Sequence, residues 1–159
     1  MSTGAWIVVA AVVVAVCVGA WRGATDGRFR GTRAVRRPVE AGVEAGVEAA
    51  TDDGATSSAG AALVADLGER LGERATLLQF SSAFCAPCRA TRRVLDEVTG
   101  LVEGVAHVEV DAEQHLDATR TLGILRTPTT IVLGPDGAEV TRATGAPTRD
   151  QVLTALARV

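Results

Sequence analysis

The sequence contains no lysine and no tyrosine, and aromatic residues make up only 3% of its 159 positions. All 16 basic residues are therefore arginines. With two tryptophans and three phenylalanines, any core must be built from Val, Leu, Ile and Ala. A strong charge of one sign is also missing. The net charge is −3, spread over many groups of both signs, which gives no basic face and no reason to expect nucleic acid as a partner. Cysteines are few: Cys17, Cys85 and Cys88. An odd number with one tight pair is not the spaced set that staples a small secreted fold. Histidines number two, His107 and His115. A zinc site normally takes four ligands, so no metal is expected.

Charge is absent altogether from residues 1–21, and residues 5–21 are nearly all Ala, Val, Ile and Gly. That matches the roughly 20 apolar residues a membrane span needs, and Trp6 and Trp21 bracket it as interfacial aromatics do. The reading is one transmembrane helix over residues 1–21. A buried core helix is the plain alternative, but a run apolar on every face at a chain end has little to bury it. A cleaved signal peptide is the nearer rival. It wants a basic leading region, and Ser2, Thr3 and Gly4 supply none. Val16 is too bulky to make Cys17 a lipid-attachment site, so Cys17 reads as a small hydrophobe in lipid.

Arg22, Arg28, Arg30, Arg33, Arg36 and Arg37 follow, with only Asp26 opposing them. Basic flanks remain on the cytoplasmic side, and arginines bind anionic headgroups of the inner leaflet. The expectation is a single-pass protein of the cell membrane with its folded part on the cytoplasmic side. Residues 22–60 read as an arginine-rich juxtamembrane segment and a linker. Within it Val-Glu-Ala-Gly occurs at 39–42 and 43–46, then Val-Glu-Ala-Ala at 47–50. Four residues are too short for a solenoid unit, and the stretch carries no core of its own.

Residues 61–159 are the expected domain, long enough for one hydrophobic core. Leu63, Leu67 and Leu71 predict one face of a helix over 62–74. Residues 76–80, Thr-Leu-Leu-Gln-Phe, suit a buried strand. A helix opens at Cys85-Ala86-Pro87-Cys88, because proline fits a first turn where its missing N–H costs nothing. Val94, Leu95, Val98, Leu101 and Val102 make its buried stripe. Residues 105–111 alternate as a strand, with Ala106, Val108 and Val110 opposite His107, Glu109 and Asp111. A short helix over 116–122, strands over 129–133 and 139–143 around a Pro135-Asp136-Gly137 turn, and a helix opened by a Thr148/Gln151 capping box complete the order. Strands separated by helices run parallel, and two joined by a tight turn run antiparallel. The fold class is α/β, a central mixed β-sheet flanked by helices.

Phe80, Phe84-Cys85-Ala86-Pro87-Cys88, Asp111, Thr127-Pro128-Thr129 and Gly145 together resemble the thioredoxin superfamily, in order and approximate spacing, across nearly the whole domain. The resemblance implies a thioredoxin fold and a thiol–disulfide oxidoreductase. Its redox-active pair is Cys85 and Cys88, and no cofactor is needed besides that disulfide. The attacking species is a thiolate, and a free cysteine has a pKa near 8.5. A helix N-terminus lowers it. Cys85 would attack a substrate disulfide, and Cys88, one turn in and shielded, would resolve the mixed disulfide. The proline matching Pro128 is cis in the family, and the backbone beside it, at Thr127, would pair with an extended substrate.

Three departures stand out. Phe84 replaces the Trp that usually precedes the first cysteine, and Ala86 replaces a Gly. Gln79 occupies the strand position of a buried acid, with His107 at the position of that acid's buried lysine partner. Gln79 accepts no proton from Cys88, whereas His107 is able to. The plain reading of the two is a hydrogen-bonded pair beneath the sheet. Expected partners are disulfide-bearing or peroxidase-type proteins, an upstream thiol reductant, and membrane lipid, with the chain itself monomeric. An extracytoplasmic thiol enzyme, for instance one serving cytochrome maturation, and a non-catalytic binding module are the alternative functions.

Overall fold

A computed structural model describes residues 3–31 and 53–159. The elements are α1 (Thr3–Thr25), β1 (Phe29–Gly31), α2 (Asp53–Asp66), β2 (Ala75–Ser81), α3 (Ala86–Leu101), β3 (Val105–Asp111), α4 (Leu116–Thr121), β4 (Thr129–Leu133), β5 (Glu139–Thr144) and α5 (Arg149–Leu156). The sheet order is β1-β5-β4-β2-β3. Among the described residues the β2–β3 pair is parallel, and β2–β4, β4–β5 and β1–β5 are antiparallel. From β2 onward the elements follow the expected order.

Every residue of β2 is buried, which is why its sequence shows no polar alternation. Its side chains divide between two cores. Leu78 and Phe80 join Val108, Val110 and Ile131 on one face, beside Leu63 and Val64 of α2. Ala75 and Leu77 join Leu95, Val98, Val132, Val152 and Leu156 on the other, beneath α3 and α5. The Thr148/Gln151 capping box opens α5 as expected.

The strand registers place one end of the sheet at the site. Phe80 near the end of β2 pairs with Thr129, which opens β4; Thr129 pairs with Thr144, which ends β5. Phe29, opening β1, pairs with Ala143. The turn from β2 into α3, the start of β4, the end of β5 and the start of β1 therefore lie together.

Three expectations are corrected. The helix placed at 62–74 runs Asp53–Asp66 instead. Gly68, at φ +74°, terminates it, because that left-handed conformation closes the last turn without strain only for glycine. Leu67 and Leu71 lie past the helix yet still pack on the core, so the leucine spacing reported burial and not helix length. Second, the linker placed over 22–60 is not all linker. Residues 29–31 form an edge strand, and Phe29 packs against the α3/α5 core. Three residues are too few for a periodicity, and pairing across more than 100 positions of sequence leaves no local signal. The Val-Glu-Ala-Gly repeats, Arg33, Arg36 and Arg37 lie outside the described residues.

The third correction concerns the membrane-spanning helix over residues 1–21. A helix is present as α1, but among the described residues no helix is long and apolar enough to cross a membrane. The side chains of residues 6–21 are all exposed.

Candidate active site

Cys85 caps the N-terminus of α3, and its Sγ accepts the backbone N–H of Cys88 at 3.1 Å. Pro87 sits in the first turn of the helix, where no N–H is required of it. The two cysteines form a disulfide, with Cα atoms 5.2 Å apart. Cys85 is half-exposed, whereas Cys88 is buried at 2% exposure. This asymmetry decides which sulfur a partner reaches first. Ala86 and Pro87 are exposed beside them, and Phe84 projects almost completely into solvent at 99% exposure.

The Thr127–Pro128 bond is cis. The Ser82 and Thr127 hydroxyls lie 3.3 Å apart and share a hydrogen bond, which ties this loop to the turn carrying the cysteines. Pro128 is buried and Thr127 half-buried. The Pro128 carbonyl accepts the N–H of Gly145 at 2.8 Å.

Beneath the disulfide lies a chain of four polar groups. The Gln79 amide nitrogen donates to the Cys88 carbonyl at 3.0 Å and to Ser81 Oγ at 2.7 Å. That orients its oxygen toward His107 Nε2, 3.1 Å away, and His107 Nδ1 is 2.7 Å from Asp96 Oδ1. The ring thus bridges the Gln79 amide and the Asp96 carboxylate. The chain ends on the carbonyl of Cys88 and not on its sulfur. Close by, the Thr91 and Thr130 hydroxyls are buried without a protein partner, and Thr130 is the cross-strand neighbour of Gln79.

Asp111 ends β3. The Glu113 backbone N–H, donating to its carboxylate, holds the Asp111 carboxyl below the usual range, with help from Gln114. Among the described residues no three His, Cys, Asp or Glu side chains gather to hold a metal ion.

The thioredoxin family model matches residues 64–158, well over half of the chain and the whole of the sheet and helices around the cysteines except β1 and the start of α2. The chain belongs to the thioredoxin family. It is 33% identical over 73 residues to thioredoxin H2-1 of Oryza sativa subsp. japonica, a match covering 46% of this chain and 52% of that protein. The chain thus spans about half the length of that curated relative. Among solved structures, it resembles the thioredoxin of Fasciola hepatica, at 23% identity and a TM-score of 0.50, covering 61% of this chain and 88% of that one. Chloroplastic thioredoxin z aligns at 21% identity and a TM-score of 0.51, covering 61% and 85%. At these identities the likeness is one of fold.

The residues singled out by the sequence come together: Phe84, Cys85, Ala86, Pro87 and Cys88 on one turn, Gln79 and His107 below it, Thr127 and Pro128 beside it. Two site residues escaped the sequence. Asp96 lies outside the buried stripe expected of its helix, yet it anchors His107; the 11-residue separation between helix and strand carries no periodic signal. Asp26 was read as a stray acid among arginines, yet it pairs with Arg126 at 2.6 Å, one residue before Thr127.

Proposed function

We propose that this chain is a thiol–disulfide oxidoreductase that reduces protein disulfides. The carrying observation is the asymmetry of the pair: Cys85, half-exposed, caps α3, and Cys88 is buried one turn behind it. In the reduced protein, the helix N-terminus favours the Cys85 thiolate. That thiolate attacks one sulfur of a substrate disulfide. A Cys85–substrate disulfide forms and the second substrate sulfur leaves as thiolate. Cys88, deprotonated, attacks Cys85 Sγ; the Cys85–Cys88 disulfide forms and the first substrate sulfur leaves. Two electrons pass to the substrate, and an upstream thiol reductant returns them. Ser82 and Thr127 hold the cis-Pro128 loop at the mouth of the pair, where an extended substrate backbone would lie.

Gln79 and His107 act in this reading as positioning residues. Gln79 fixes the Cys88 carbonyl, and His107, held by Asp96, fixes Gln79. The chain acts as a monomer on disulfide-bearing or peroxidase-type proteins, without nucleic acid, metal or further cofactor. The exposed apolar side chains of α1 need an apolar partner, and membrane lipid supplies it; the arginines after α1 hold the domain at the cytoplasmic face. Reduction of insulin disulfides by the full chain, with dithiothreitol as electron source, tests the activity. Turnover that vanishes in Cys85→Ser is expected; turnover no faster than dithiothreitol alone would remove the enzyme reading. Flotation of the chain with phosphatidylcholine–phosphatidylglycerol vesicles tests the attachment.

A further inference from the structure

The end of α1 is built into the active-site end of the domain. Only residues 26–28 separate Thr25, the last residue of α1, from Phe29, the first of β1. Two of these three are fastened. Asp26 accepts from Arg126 Nη2 at 2.6 Å, and the same nitrogen donates to the Thr144 carbonyl at 3.1 Å. The Gly27 N–H donates to that carbonyl as well, at 2.9 Å. The contact is close enough to require glycine on both sides. A Cβ on Gly27, at φ +72°, would lie 2.3 Å from the Ala146 carbonyl oxygen, and one on Gly145, at φ +97°, would lie 2.3 Å from the Asp26 carboxylate. Gly145 in turn donates to Pro128.

The strand order then sets the distance to the cysteines. From β1 to β2 there are three strand spacings, about 14 Å at about 4.8 Å each. The helix therefore leaves the domain beside the cis-Pro128 loop, on the same end of the sheet as Cys85. That end also carries two of the most exposed apolar side chains of the domain, Phe84 at 99% and Leu125 at 96%. Arg28 and Arg89 are exposed there too, able to meet anionic headgroups.

We propose that the Cys85–Cys88 pair faces the lipid surface and serves disulfides carried by membrane-bound proteins close to the headgroups, in preference to disulfides free in bulk solution. The proposal rests on attachment of α1 to lipid. A long flexible tether would let the pair sample solution at large; a fastened three-residue junction confines it to one or two nanometres from the bilayer. Phe84 and Leu125 then form the apolar rim that meets the interface. The exchange itself is the one written above.

The test uses the full chain on phosphatidylcholine–phosphatidylglycerol vesicles that also carry a fluorogenic disulfide peptide. The peptide is coupled to a lipid headgroup through either a short linker or a long polyethylene glycol tether. Confinement should make the short-linked peptide react about tenfold faster, an effective-concentration effect. A second chain, with about 20 Gly and Ser residues inserted between Thr25 and Asp26, frees the domain over about 25 Å and should lose the preference. Its unchanged turnover on a soluble disulfide would show that the domain is intact. Equal rates on the two tethers in the native chain, or a preference that survives the insertion, would overturn the proposal. Failure of the chain to float with vesicles would instead overturn the attachment reading beneath it.

Discussion

Phe29→Ala probes the strand that joins α1 to the domain. Phe29 pairs with Ala143 and packs, half-buried, against the core formed by Leu77, Leu95, Val132 and Val152. A phenylalanine buries about 150–250 Å² when enclosed, so about 100 Å² is at stake here. At about 25 cal/mol per Å² the removed ring accounts for about 2 kcal/mol, slightly less because the Cβ remains. The void opens to the surface beside α5, so no cavity penalty is added. In a domain of this size each kcal/mol moves the melting temperature by about 4–8 °C. A fall of roughly 8–15 °C is expected, followed by circular dichroism on a chain starting at Asp26. A matched chain starting at residue 53 lacks the whole strand and should lose at least as much. An unchanged melting temperature for Phe29→Ala would mean that residues 29–31 are not seated on the sheet in solution. The fastening of α1 at the active-site end would fall with it.

Cys88→Ser should accumulate mixed disulfides with substrate and Cys85→Ser should not, as seen on non-reducing gels; equal trapping would reverse the assignment of nucleophile and resolving residue. Gln79→Leu and His107→Ala should each slow the resolving step by about tenfold, the worth of one buried hydrogen bond, and the double variant should be no slower than either, since both cut one chain; additive losses in stopped-flow single turnovers would argue for separate roles. Thr130→Val removes a buried hydroxyl that has no partner, so denaturant unfolding should find it neutral or stabilised by up to about 1 kcal/mol; a loss above that would reveal a bond the hydroxyl makes. Because the Asp111 carboxyl titrates below its ordinary 3.8 in the folded state, its contribution to stability is complete above that value and is lost as pH falls through the lowered one. Melting temperatures of the native chain and Asp111→Asn should therefore differ at neutral pH and converge in acid, and parallel curves would show that the carboxylate contributes nothing.

Much of this molecule was legible one residue after another. Where a signal is local, the chain carries it openly: the Cys85-Ala86-Pro87-Cys88 turn after an apolar strand, the alternation over 105–111, the Pro135-Asp136-Gly137 turn, the Thr148/Gln151 cap. These rest on backbone stereochemistry and on the period of one element, which neighbouring residues determine by themselves. The resemblance to the thioredoxin superfamily even placed Gln79 and His107 together beneath the pair. Tertiary structure decided what depends on partners far away in sequence. Asp96 becomes the anchor of His107 only when α3 lies over β3. The His107 ring then joins Asp96 to Gln79. Phe29 becomes core, and Asp26 part of the active-site end, only because an edge of the sheet was open beside β5 and Arg126 stood within reach. An open edge and a waiting countercharge are properties of the assembled sheet, and no window along the chain contains them.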